Sequence, residues 1–137
     1  MSKVAVDHIG VIVEDLEDAV ARYTAILGPP AKRVELEDVG LKVAEFETAN
    51  VTIELIQYAG EKADFARQVM GDAPGLNHVS LEVADLARSL EAAQASGLRV
   101  QDGFPRRGAH GEVAFFERDA GTGLLLEFCE PDGESGP

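Results

Sequence analysis

Most of this 137-residue chain consists of two copies of one pattern. The segment VDHIGVIVEDLEDAVARY, close to the start, has a counterpart in LNHVSLEVADLARSLEAA in the second half. An offset of 70 positions places His8 on His78 and Asp15 on Asp85, and it also aligns VAEFE with VAFFE. Because a repeat constrains every element inside it, the chain has to be interpreted as a duplicated folding unit.

Both copies predict the same order of elements. Apolar runs predict a first strand at 4–13 and 76–83, and Asp15 or Asp85 then caps a helix at roughly 16–27 or 86–96. Gly28 and Gly97 are expected to end these helices. Three strands follow each helix, near 32–38, 41–48 and 51–58 in the first copy and near 99–103, 111–117 and 123–129 in the second. The predicted fold class is α+β, with two tandem βαβββ modules.

The domain organisation follows from the repeat. We expect a single domain over residues 1–131, with module one at 3–58 and module two at 76–131. The linker at 59–75 contains a short helical segment and a Gly/Pro-rich stretch. Residues 132–137 are expected to form a flexible tail.

The composition of the chain limits the kinds of molecule that it is expected to bind. Twelve basic and 25 acidic side chains give a net charge of −13, which should repel nucleic-acid phosphates and an anionic membrane surface. No apolar run approaches the roughly 20 residues of a membrane span, and the N-terminus lacks the order of a secretory signal. A single cysteine excludes an internal disulfide. We therefore expect a cytoplasmic protein that binds neither nucleic acid nor membrane.

Two histidines and two glutamates stand at equivalent places in the copies. His8 matches His78, and after a three-residue difference in loop length Glu54 of TIEL matches Glu127 of LLEF. Each glutamate shares its strand face with apolar residues, where an ionised carboxylate needs a compensating partner. Pseudo-twofold packing of the modules would bring all four side chains to one axis. Imidazole and carboxylate ligands suit divalent Zn, Ni, Co, Mn or Fe, and four ligands leave octahedral positions open.

At these residues the chain resembles the vicinal oxygen chelate superfamily, which includes glyoxalase I, extradiol dioxygenases and methylmalonyl-CoA epimerase. The resemblance implies a cup-shaped, partly open eight-stranded β-barrel with its helices outside. It also implies a metal held by His8, Glu54, His78 and Glu127. Within the superfamily, DHIGVIVEDLEDAVARYTAILG, TIELIQ and PRRGAHGEVAFFERDAGTGLLLEF are most similar to methylmalonyl-CoA epimerases.

That likeness implies an enzyme which interconverts the (2R) and (2S) forms of methylmalonyl-CoA, or of a related malonyl-type thioester, through a metal-stabilised enolate. Cobalt, zinc, nickel or manganese would serve as cofactor, and a homodimer is expected. The resemblance makes Glu127 one catalytic base. The position that aligns with the second base of the family is Val43, so Glu45 is the candidate two residues further along the strand.

Coenzyme A brings several negative charges to an acidic protein, so basic residues should receive its phosphates. Arg106 and Arg107, beside the GAHG loop, are the first candidates for contact with an acyl-CoA, and Lys32 and Arg33 are further ones. His110 lies within that loop and is expected to border the substrate pocket.

Three other functions fit the sequence less well. A glyoxalase I-type lactoylglutathione lyase would use the same four ligands. An Fe(II) dioxygenase needs only two histidines and one carboxylate, so a fourth ligand argues against it. A non-catalytic protein of the same fold that binds a small molecule would need no metal.

Overall fold

The computed structural model describes residues 3–133. Module one comprises β1 (Ala5–Ile12), α1 (Leu16–Leu27), β2 (Lys32–Leu36), β3 (Leu41–Glu47) and β4 (Thr52–Tyr58). Helix α2 (Asp64–Met70) occupies the linker. Module two comprises β5 (Gly75–Glu82), α3 (Leu86–Ala95), β6 (Arg106–Arg107), β7 (Gly111–Phe115) and β8 (Leu126–Pro131). The predicted α+β class, with the order βαβββ written twice, is confirmed.

Helices α1 and α3 begin in the same way. Asp15 caps α1, because its carboxylate accepts a hydrogen bond from the Asp18 backbone N–H at 3.1 Å. The Gln57 side chain accepts from the Leu16 N–H at 2.7 Å, which satisfies a second open donor of this helix. In module two the equivalent bonds run from Arg88 N–H to Asp85 and from Leu86 N–H to Glu130. The duplication therefore extends to the hydrogen bonds of the helix ends.

The chain divides into two compact units, and the first comprises His8–His78. Its strands follow the order β2-β3-β4-β1. Strand β1 is parallel to β4, while β3 is antiparallel to both β2 and β4. Helix α1 covers one face of these strands and packs on Ala44, Phe46 and Leu55. Because side chains alternate along a strand, the neighbouring residues point to the face opposite α1.

The second unit comprises the chain from Val79 onward, together with the N-terminal residues up to Asp7. Its strands follow the order β5-β8-β7-β6, with β5 parallel to β8 and the other pairs antiparallel. Helix α3 packs on Ala114, Phe116 and Phe128. Residues of the other parity again occupy the face away from the helix, as in the first unit.

Two predicted strands of module two are displaced. The strand predicted at 99–103 is absent, and only Val100 forms an isolated bridge, to Phe116. Gly103 has a φ of +92°, and Pro105 has no N–H to donate to a neighbouring strand, so regular pairing resumes only at β6. The strand predicted at 123–129 begins later, at Leu126, because a turn closed by a hydrogen bond from Gly123 N–H to the Asp119 carbonyl precedes it.

Within the described residues, no helix is both long enough and apolar enough to cross a membrane. The tail predicted at 132–137 falls mostly outside the described residues, which end at 133. The predicted domain limits stay predictions.

Tyr58, the last residue of β4, fixes the C-terminal end of α2. Its hydroxyl donates to the Gly71 carbonyl at 2.6 Å, and the Arg67 guanidinium lies 5.1 Å from the centre of its ring. Burial raises the pKa of Tyr58 from 10.0 to about 12, with a further increase from Asp72 that Arg67 partly opposes. The folded protein therefore favours the neutral phenol.

We expect the hydrogen bond from the Tyr58 hydroxyl to the Gly71 carbonyl to weaken in alkaline solution. Between pH 10 and about 12 the unfolded chain ionises this phenol while the folded chain does not, so the free energy of unfolding falls across that window. An ultraviolet titration should show a phenolate step near pH 12 that is lost in Tyr58→Phe. The same titration curve in the variant and the parent protein would contradict the assignment.

Candidate metal and proton-transfer site

The face of the first unit opposite α1 carries three of the residues predicted from the sequence, namely His8, Glu54 and Glu45. Strand pairing places Gly10 beside Glu54, and Glu54 beside Glu45. Alternation then puts His8 on the same face as Gly10. The sequence pattern thus gathers one imidazole and two carboxylates on three adjacent strands, β1, β4 and β3.

His8, Glu54 and His78 form a compact cluster. His8 Nδ1 lies 3.5 Å from Glu54 Oε2. The rings of His8 and His78 meet edge to face, with their centroids 5.5 Å apart, and each ring offers a nitrogen within 4.8 Å of the other. Both histidines are buried, with 7% and 3% of their surfaces exposed. Two imidazoles and a carboxylate at this spacing form a His/Glu group that could hold a divalent metal ion.

Gly10 makes room for the His78 ring. A Cβ at this position would lie 2.5 Å from His78 Nε2 and 2.7 Å from Nδ1, and it would also overlap Cε1. No side chain can replace the hydrogen of Gly10 without moving the imidazole. The equivalent residue of module two is Ser80, so the two copies differ at this position.

Gly10→Ala should weaken metal binding by about 10- to 100-fold, because the new methyl group would displace His78, a ligand predicted from the sequence. Cobalt titration followed by visible absorption measures this change. Gly133→Ala is the matched control, since a Cβ at Gly133 would meet nothing within 4 Å. Equal cobalt affinity in the two variants would show that the His78 ring does not need this space.

Glu45 is the second carboxylate of the face. It pairs directly with Glu54 across β3 and β4, only 7% of its surface is exposed, and the two carboxylates offer oxygens within 4.8 Å of each other. Glu47, two residues further on the same strand, is exposed. Two ionised carboxylates this close repel each other, so a cation between them would be stabilising.

Glu127 lies in the second unit, on β8, and 5% of its surface is exposed. It pairs with Ser80 of β5 and with Phe115 of β7. In module one, Glu54 occupies the corresponding position between Gly10 and Glu45. The two glutamates therefore match in register as well as in sequence.

The three predicted substrate contacts lie around β6. The Arg107 guanidinium forms a bidentate ion pair with Asp132, with Nη1 2.6 Å from Oδ1 and Nη2 in contact with Oδ2. This hydrogen bond raises the pKa of Arg107 and holds that of the Asp132 carboxyl below its usual value. Arg106 is half-buried in β6. His110 is half-buried in the β6–β7 turn, where its carbonyl accepts from the Asp132 N–H at 3.0 Å.

Three residues of these surroundings were not singled out from the sequence. Gly10 and Ser80 occupy the same place in the two copies, so comparing the copies could have drawn attention to both. The Ser80 hydroxyl is fully buried and has no hydrogen-bond partner among residues 3–133. Asn77 contacts His78 through its side chain, and no periodic pattern marks that contact.

Several known proteins are similar to this chain over most of its length. The chain is 32% identical to the Bacillus subtilis protein named Uncharacterized protein YqjC, over 93% of both chains. It is 33% identical to an Ethylmalonyl-CoA/methylmalonyl-CoA epimerase of Cereibacter sphaeroides, over 88% of this chain and 93% of that relative. The crystal structure of methylmalonyl-CoA epimerase from Mycobacterium tuberculosis has a TM-score of 0.80 at 25% identity, covering 95% of this chain and 89% of that one.

The family is shown by a match to a family model. The model of the Glyoxalase/Bleomycin resistance protein/Dioxygenase superfamily matches residues 7–116, which include both histidines of the cluster. The resemblance drawn from the duplicated sequence is thus confirmed, and the chain belongs to the glyoxalase/bleomycin resistance protein/dioxygenase superfamily.

Proposed function

We propose that this chain is a metal-dependent epimerase that interconverts the (2R) and (2S) forms of methylmalonyl-CoA or of a related malonyl-type thioester. The observation that carries this proposal is the buried cluster of His8, Glu54 and His78, with Glu45 beside Glu54 on the same face. The relative from Cereibacter sphaeroides, named as an ethylmalonyl-CoA/methylmalonyl-CoA epimerase, supports the substrate class.

The proposed metal ligands are His8, Glu54, His78 and Glu127. The first three are neighbours within one unit. Glu127 joins them because it stands in module two where Glu54 stands in module one, and because a buried carboxylate needs a positive partner. This donor set fits divalent cobalt, zinc, nickel or manganese.

The proposed reaction requires that the negative charge formed on the substrate be stabilised. The proton to be removed lies on a carbon between a thioester and a carboxylate, and its loss places charge on the adjoining oxygens. When bound, a divalent metal supplies Lewis-acid stabilisation of those oxygens. The role of the protein is to hold the substrate so that a base faces each side of this carbon.

Two glutamates would move the proton. Glu45 is proposed as the base on one side of the carbon, since it is buried on the face that also carries Glu54. Glu127 is proposed as the base on the other side. One residue accepts the proton as a carboxylate, and the other returns a proton as a carboxylic acid.

The phosphates of coenzyme A would be received near β6. Arg106, Arg107 and His110 are the proposed contacts. The carboxylate of Asp132 already neutralises much of the charge of Arg107, so a phosphate would compete with Asp132 for this guanidinium. A homodimer is proposed on the resemblance, and a cytoplasmic location is proposed from the sequence.

Hydrogen exchange at the acyl carbon tests the function directly. The protein is stripped with chelator, reloaded with cobalt, and mixed with methylmalonyl-CoA in heavy water. We expect metal-dependent incorporation of deuterium together with interconversion of the two forms. The hemithioacetal of methylglyoxal and glutathione is assayed in parallel. Lactoylglutathione formation without exchange of the thioester would favour a glyoxalase, and cobalt binding with neither reaction would favour a binding protein.

A further inference from the structure

Asn77 links the His78 ring to the end of helix α2. Its Nδ2 donates to the Met70 carbonyl at 2.8 Å, and its Oδ1 lies 2.7 Å from His78 Nδ1. Met70 is the last residue of α2 and is itself buried. Its carbonyl is one of those that a helix leaves without an intrahelical donor, so Asn77 satisfies an open acceptor.

These two contacts determine the tautomer of His78. A carbonyl oxygen can only accept a hydrogen bond, so the Asn77 atom that faces Met70 must be the amide nitrogen. The atom that faces His78 is then the amide oxygen, which also can only accept. His78 Nδ1 must therefore carry the hydrogen, and in the neutral ring Nε2 carries the lone pair.

Two hydrogen bonds of the neighbouring residue Gly71 fix the Met70 carbonyl that accepts from Asn77. The Gly71 N–H donates to the Arg67 carbonyl at 2.6 Å, which closes the last turn of α2. The Tyr58 hydroxyl donates to the Gly71 carbonyl at 2.6 Å, which ties the same turn to the end of β4. The Met70 carbonyl thus has a fixed position relative to the sheet, and so does the amide that binds it.

We propose that Asn77 is a positioning residue that holds His78 in its Nδ1–H tautomer, with Nε2 available as the metal-ligating nitrogen. The role rests on the metal site of the proposed function. Metal-ligating histidines commonly donate their other ring N–H to a carboxylate, a carbonyl or water, which fixes the ring and raises its basicity. Here the amide of Asn77 is that acceptor, and Gly10 leaves room for the ring.

Nitrogen NMR on the metal-free protein tests the tautomer without reference to activity. With ¹⁵N-labelled histidine at mildly alkaline pH, His78 should show hydrogen on Nδ1. Asn77→Ala should shift the ring toward the Nε2–H form, because the acceptor is gone. Asn77→Asp keeps an acceptor and should retain the Nδ1–H form, although it loses the donor to Met70. Asn50→Ala, at the β3–β4 turn, is the matched control and should leave the signal unchanged.

Cobalt titration of the same proteins gives the second measurement. Asn77→Ala should bind cobalt about 10- to 100-fold more weakly than the parent protein, and Asn50→Ala should bind it equally well. An Asn77→Ala protein with the parent tautomer and parent affinity overturns the positioning role. His78→Ala separates this from the wider proposal: if His78→Ala also binds cobalt normally, the proposed metal site itself is wrong. If His78→Ala loses the metal while Asn77→Ala keeps it, only the role of Asn77 is wrong.

Discussion

Replacing Glu45 by glutamine should stop epimerisation while leaving metal binding intact. The glutamine keeps the size of the side chain and cannot accept the proton, so the turnover number should fall about 10²- to 10⁴-fold. Hydrogen exchange between the substrate and solvent should differ between the two enantiomers. The form whose proton faces Glu127 should still exchange its hydrogen without inverting, and the other form should not exchange. The measurement is deuterium incorporation into each enantiomer, followed separately.

Glu47→Gln is the matched control for this experiment. Glu47 lies two residues along the same strand and has the same parity as Glu45, but it is exposed. We expect its turnover and exchange to equal those of the parent protein. Parent turnover in Glu45→Gln would remove Glu45 from the mechanism and leave Glu127 to act alone or with a base elsewhere in the chain.

Replacing His78 by alanine should remove the metal and, with it, the activity. The ring is buried against Gly10 and lies edge to face with His8, so no other side chain can take its position. Loss of Lewis-acid stabilisation amounts to several kcal/mol, which predicts a fall in kcat/KM on the order of 10³-fold or more. Metal content after gel filtration and kcat/KM are the two measurements.

His110 provides the comparison, because the chain has only three histidines. His110→Ala should keep its metal content, whatever it does to substrate binding. Loss of metal in His110→Ala, with retention in His78→Ala, would mean that a different set of side chains holds the ion.

Much of the fold could be predicted because each local signal agreed with the duplication. The Asp15 and Asp85 caps mark the starts of α1 and α3 to the residue, and alternation along β3 and β4 identifies the face opposite the helix. The prediction of a strand at 99–103 was wrong. It relied on the apolar residues of LRV, which match the pattern of a strand. The pairing of this segment is instead limited by Gly103 and Pro105, whose backbone requirements outweigh that pattern.

The candidate site could be predicted in part. Repetition matches His8 with His78 and Glu54 with Glu127, and this matching carries information that single histidines and glutamates do not. The parity of β3 places Glu45 on the face of Glu54, but its burial depends on tertiary packing. The close approach of Gly10 to His78 and the bond from Asn77 to Met70 join segments that no periodicity relates. Such contacts become visible only in three dimensions.

The proposal that two histidines and two glutamates bind one ion is tested most directly by anomalous diffraction from crystals of the zinc-loaded protein. We predict one zinc peak per chain at about 2 Å from a ring nitrogen of His8 and of His78 and from a carboxylate oxygen of Glu54 and of Glu127. A zinc ion bound elsewhere, or bound to the histidines with Glu127 turned away, would contradict the proposed site.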